Sequence, residues 1–168
     1  VIRAGSLILA ALVLVPACRD DDDDDGDESS DTSGAEPFFP DDYESTYTEV
    51  RDCRGSGDHD LNNIRVFADT TAVDPYENHM DPFPEGAVLV KAEYGFDDIT
   101  CEGEPIQWTA MRRLVEGSSP DTLDWSWQKI DFDRTVVQED SVACIGCHTA
   151  CGEDPPPDYL YESTCTQP

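Results

Sequence analysis

Phe83-Pro84-Glu85-Gly86-Ala87-Val88-Leu89-Val90-Lys91-Ala92-Glu93-Tyr94 reads as a turn running into a strand. Pro84-Glu85-Gly86 carries turn chemistry, and Ala87 to Tyr94 is rich in residues that favour extended backbone. Side chains alternate across a strand, so Val88 and Val90 share one face while Leu89 and Lys91 share the other. Working outward, Ile64-Arg65-Val66-Phe67-Ala68 reads as a preceding strand. Ile106 to Val115 alternates, with Ile106, Trp108 and Ala110 on one face, and Gly117-Ser118-Ser119-Pro120 turns the chain. Leu123, Trp125 and Trp127 alternate again up to Lys129. Short strands separated by turn signals predict an antiparallel sheet, the last two strands forming an adjacent pair.

A few helical pieces are expected beside the sheet. Pro40-Asp41-Asp42 resembles a helix start, with Tyr43, Tyr47 and Val50 at helical spacing and Gly55-Ser56-Gly57 as its end. Residues 69 to 82 mix turn and helix signals around Pro75 and Pro82. Pro155-Pro156-Pro157 imposes an extended tail, after which Asp158 to Tyr161 is expected to return to the sheet.

The N-terminal stretch reads differently. Arg3 precedes an apolar run, Leu7 to Val15, too short to span a membrane as a helix. Val15-Pro16-Ala17-Cys18 then resembles a lipobox. The expected organisation is a lipoprotein signal peptide over 1–17, a lipidated Cys18 with an acidic tether over 18–37, and one folded domain over 38–168. The unbroken run Asp20 to Asp25 carries no apolar side chains to bury, and like charges extend such a chain. It lacks the spaced ligands and turning Gly of a calcium loop. The expected location is the cell envelope, with the domain facing the periplasm or the cell surface. Arg19 follows Cys18, so an Asp retention signal is absent there, which favours an outer membrane.

The net charge is −28 over 168 residues. Residues 37–168 alone hold 28 acidic and 8 basic side chains. Such a surface repels nucleic acid, whose recognition needs Lys and Arg clusters. It also disfavours a broad acidic membrane surface and suits a basic partner.

Besides Cys18 there are six cysteines, and three of the chemistry-bearing residues are adjacent: Cys144-Ile145-Gly146-Cys147-His148 is C-x-x-C-H, the attachment pattern of c-type haem. Two thiols three positions apart lie on one turn and can add to the two vinyl groups, while the adjacent His supplies the iron ligand. The competing readings are a structural disulfide, a redox pair, and a zinc site completed by Cys151. Four zinc ligands within eight residues depart from the usual two separated pairs. Haem c, one and covalent, is therefore the expected cofactor, with His148 its metal ligand. Cys53, Cys101, Cys151 and Cys165 remain, in an exported chain where disulfides are permitted. Three pairings are open; Cys53–Cys101 with Cys151–Cys165 is the preferred one.

The order of these features resembles the cytochrome P-460 family, which includes the cytochromes c′-beta. The matching pieces are Ile64 to Asp69, Phe83 to Lys91, Asp124-Trp125-Ser126-Trp127, the haem motif at Cys144 to His148, and Asp158-Tyr159-Leu160-Tyr161. The resemblance covers about residues 40 to 162. It implies an α+β domain dominated by an antiparallel sheet and holding a five-coordinate haem. It also implies that Lys91, at the position of the family's cross-linking Lys, bonds to the macrocycle. The implied activity is oxidation of hydroxylamine or nitric oxide, with electrons leaving singly to a soluble c-type cytochrome. Binding of a diatomic gas without turnover, or simple electron carriage, are the alternatives.

A Lys on a strand ordinarily faces solvent, so cross-linking, pocket residence and exposure all stand open for Lys91. His59, His79, Met80 and Met111 are candidate sixth ligands of the iron. Arg112 and Arg113 are candidate partners of a haem propionate.

Overall fold

The computed structural model describes residues 34–57, 59–79, 83–151 and 163–166. The expected signal peptide, Cys18, Met80 and the expected return over Asp158 to Tyr161 all lie outside the described residues. Among the described residues, no helix is long and apolar enough to cross a membrane.

Among the described residues, six strands form one sheet in simple chain order, each antiparallel to the next. They are β1 Thr48–Gly55, β2 Asn63–Ala68, β3 Val88–Tyr94, β4 Gln107–Arg113, β5 Trp125–Asp131 and β6 Val136–Glu139. Among the described residues, three short α-helices accompany them, α1 Tyr43–Thr46, α2 Val73–Glu77 and α3 Val142–Ala150, with a 3-10 turn at Pro120–Thr122. The α+β, sheet-dominated class expected from the sequence is the observed one. Gly86, at φ +84, closes the turn into β3 and donates its N–H to the Arg113 carbonyl at 2.9 Å. Asp69 ties the start of the β2–α2 turn to β3, accepting from the N–H groups of Thr71, Ala72 and Val88 at 2.8, 2.9 and 3.0 Å.

The helix expected between Pro40 and Gly55 is a single turn, closed by Tyr47 N–H on the Tyr43 carbonyl at 2.8 Å. Thr48 onward is strand β1 instead. Thr46, Thr48 and Val50 are β-branched and resist helix continuation. The β2 edge and the Cys53–Cys101 bond hold the segment extended. β6 was likewise not foreseen, being four residues long and half polar.

The sheet buries both faces. On one, Phe67, Val88, Val90, Ala92, Tyr94, Trp108, Ala110 and Ile130 form a core with Phe39 and Tyr43. Trp108 Nε1 donates to the Tyr43 hydroxyl at 3.0 Å. Ile106, expected on this face with Trp108 and Ala110, is instead 46% exposed just before β4 begins. Ala35 packs against this core, and the Glu36 carbonyl accepts from Gln128 at 3.1 Å. The last residues of the anticipated tether therefore dock on the domain.

On the other face Ile64, Val66, Leu89, Met111, Trp125 and Trp127 pack with Tyr76 and Phe83, and Cys144 and Ile145 of α3 rest against them. Both preferred disulfides are present, Cys53–Cys101 and Cys151–Cys165, across sequence separations of 48 and 14. On a chain-entropy model the first contributes about 4 kcal/mol and the second about 3 kcal/mol.

Candidate haem site

Strand register places three rungs of side chains on the face beneath α3. Leu89, Met111 and Trp127 form the lowest, through the pairs Leu89↔Met111 and Met111↔Trp127. Val66, Lys91, Thr109, Lys129 and Gln138 form the middle rung, one residue from each of five strands. Ile64, Glu93 and Gln107 form the upper one. Directly paired residues share a face, so these rungs follow from register alone. Together with α3 and the loop after β1, they enclose a cavity of about 740 Å³. That falls within the range of small-molecule and cofactor pockets, roughly 300–1,000 Å³.

Helix α3 carries the C-x-x-C-H residues. Ser141 caps it, its hydroxyl accepting from the Cys144 N–H at 3.2 Å. Positions three and four apart share a helix face, which sets Cys144, Cys147 and His148 toward one side. All three line the cavity.

The imidazole of His148 is held from behind. Its Nδ1–H donates to the Ser163 carbonyl, and its ring lies 6.0 Å from that of Trp127. Ser163 belongs to the segment returned to α3 by the Cys151–Cys165 bond, and the Cys165 sulfur sits 3.8 Å from the same Nδ1. Donation from Nδ1 fixes the tautomer and leaves Nε2 with its lone pair. Burial, with the charge of Lys91, holds the imidazole's pKa down to about 3. His148 is therefore neutral near pH 7, the protonation state in which an imidazole ligates a metal.

Lys91 lines this cavity and does not point to solvent. Its Nζ lies 2.6 Å from His59 Nε2, and His59 Nδ1 lies 3.3 Å from a Glu93 carboxylate oxygen. Glu93 is 1% exposed. It also accepts from Asn62 at 3.2 Å, Gln107 at 2.8 Å and Thr109 at 3.2 Å. Burial pushes its pKa up, but the hydrogen bond and charge of His59, with the donors Gln107 and Asn62, hold it lower, at about 2.

The other sequence candidates divide. His59 reaches the cavity through Lys91, and Met111 is a buried wall residue. His79 is not among the lining residues. The Arg112 and Arg113 candidates fall away. Arg112 stacks on Phe38, 4.1 Å from its ring centre. Arg113 is buried, donating to the Leu123 carbonyl and standing 3.8 Å from Asp124. The basic residues that do line the cavity are Arg54 and Lys129, beside Lys91. Neither was singled out in the sequence. The alternation that placed Trp127 on a strand also places Lys129 on its face, and would have found it.

The chemistry of the site fits a haem. Two Cys positions and a neutral, oriented His share one cavity with an apolar floor. The buried Trp127 Nε1 has no hydrogen-bond partner among the described residues, so a donor stands ready on that floor. Cys147 is disulfide-bonded in this structure. The zinc alternative loses Cys151 to its bond with Cys165. Among the described residues, no group of three or more His, Cys, Asp or Glu is arranged to hold a metal ion on its own.

Comparison with known proteins agrees with this chemistry. The family model described as Cytochrome P460 matches residues 40–162. No curated protein matches the chain.

Proposed function

Because the chain belongs to the cytochrome P460 family, which implies a haem cofactor, we propose that its cavity holds one covalent haem c and oxidises hydroxylamine or nitric oxide. Cys144 and Cys147 would supply the thioether sulfurs, and His148 Nε2 the iron ligand. When bound, the haem supplies an iron that takes up a small nitrogen compound and passes on electrons one at a time. The protein's own part is positional. Ser163 orients His148, the apolar floor of Leu89, Met111 and Trp127 excludes water, and Arg54 and Lys129 offer positive charge to the propionates.

The observation that carries the catalytic reading is the placement of Lys91 in the same cavity as Cys144, Cys147 and His148. In this reading the Lys91 amine bonds to the macrocycle. Electrons leave to a soluble basic c-type cytochrome, which the acidic surface would steer. The chain is exported and anchored in the cell envelope through a lipid on Cys18.

The test is an absorption spectrum of the full chain, made with a c-haem maturation system, beside a Lys91→Ala variant. A red-shifted reduced Soret band that Lys91→Ala returns to its ordinary position is the expected result. An ordinary five-coordinate spectrum that responds to nitric oxide would replace turnover with gas binding. No covalent haem at all would overturn the proposal.

A further inference from the structure

The cavity contains a hydrogen-bonded series that the haem motif does not explain. Lys91 Nζ and His59 Nε2 are 2.6 Å apart, and a nitrogen–nitrogen hydrogen bond needs a lone pair on one side. An ammonium facing an imidazolium has none, so one of the two groups is neutral. Two arrangements are related by a single proton shift: Lys–NH3⁺ with neutral His59, or Lys–NH2 with His59 as imidazolium. Glu93 bears on the pair through His59. Its carboxylate lies 3.3 Å from His59 Nδ1, on the far side of the ring, and is 1% exposed. A buried carboxylate there can receive the His59 Nδ1–H, which turns the Nε2 lone pair toward the Lys91 amine. Asn62, Gln107 and Thr109 hold the Glu93 oxygens in place.

We propose that His59, oriented by Glu93, takes a proton from Lys91 and so makes its amine the nucleophile of the cavity. The inference rests on the haem reading above and adds two positioning residues to it. In the bond-forming step, a Lys91 N–H and a C–H of the macrocycle are replaced by one N–C bond. Two protons and two electrons leave. The proton on His59 Nε2 is the one the ammonium gave up beforehand; a peroxide accepts the two electrons and the two protons of this step, departing as two waters. A neutral amine is required because an ammonium has no electron pair to form the bond.

The test uses the full chain carrying covalent haem through Cys144 and Cys147, treated with hydrogen peroxide. Mass spectrometry of the digested protein then measures the fraction of Lys91 peptide joined to the haem peptide. The wild type is expected to cross-link. His59→Ala should lower the rate at least tenfold, and added imidazole should recover part of it, which a merely structural role would not allow. His59→Gln, which keeps a hydrogen-bond acceptor but cannot carry the proton, should be equally slow. Glu93→Gln should be intermediate. Cross-linking of His59→Ala and His59→Gln at the wild-type rate would overturn the proposal while leaving the Lys91 cross-link standing. A wild-type protein that holds covalent haem and never cross-links would overturn both.

Discussion

His148 donates its Nδ1–H to the carbonyl of Ser163, a residue held beside α3 by the Cys151–Cys165 disulfide. The staple thereby orients the imidazole as well as closing a loop. Replacing both Cys151 and Cys165 by Ala should cost the haem-free chain about 3 kcal/mol in denaturant titration. In the haem-loaded chain it should raise the pH at which acid displaces the imidazole, because a metal-bound His depends on the partner of its other nitrogen. An unchanged acid midpoint would separate the disulfide from the site.

Glu93 links the cavity to acid stability. Its folded pKa of about 2 lies below its ordinary value of 4.5. The stability it contributes is therefore complete above the unfolded value and lost as pH falls through about 2. The shift corresponds to something on the order of 3 kcal/mol. Glu93→Gln should flatten the loss of stability between pH 4.5 and 2, measured by urea unfolding at stepped pH. A variant as acid-sensitive as the wild type would place the dependence elsewhere.

Trp127 distinguishes an apolar contact from a polar one. Its side chain is 3% exposed and its Nε1 has no partner among the described residues. Trp127→Phe should change haem-free stability by under about 1 kcal/mol, since no protein hydrogen bond is lost. Trp127→Ala should cost roughly 3–5 kcal/mol through the cavity it opens. If the indole N–H donates to bound haem, the Phe variant will show its deficit only in the loaded protein. Equal thermal shifts with and without haem would show that it does not.

Asp69 anchors β3, the strand that presents Lys91 and Glu93. One carboxylate receives N–H groups from both the α2 turn and Val88. Asp69→Ala should cost roughly 2 kcal/mol, a typical loss for hydrogen bonds to a charged acceptor, and Asp69→Asn less. Chemical denaturation of the two variants checks this, and an Ala variant as stable as the wild type would mean the turn holds without its anchor.

Local regularity made much of this protein legible. The alternation in Val88-Leu89-Val90-Lys91 assigned Lys91 to the face of Leu89. Cys144, Cys147 and His148 have helical spacing, and they sit on one helix. Where two local signals competed, the sequence misled. Tyr43, Tyr47 and Val50 have helical spacing, yet β-branched neighbours and an available β2 edge drew Thr48–Gly55 into the sheet.

What the sequence by itself determined is the chemistry-bearing motif, the sheet class and the side of β3 from which Lys91 projects. Each is set by periods of two to four residues, within reach of local sterics. Only the tertiary structure decided that His59 stands 32 positions from Lys91 yet bonds to it, and that Ser163 lies 15 positions from His148 yet fixes its tautomer. It also turned Arg112 and Arg113 to structural contacts, while Arg54 and Lys129 line the cavity. Those choices depend on strand register and on which buried polar groups find partners, and a buried charge must be paired wherever the fold brings a partner within reach.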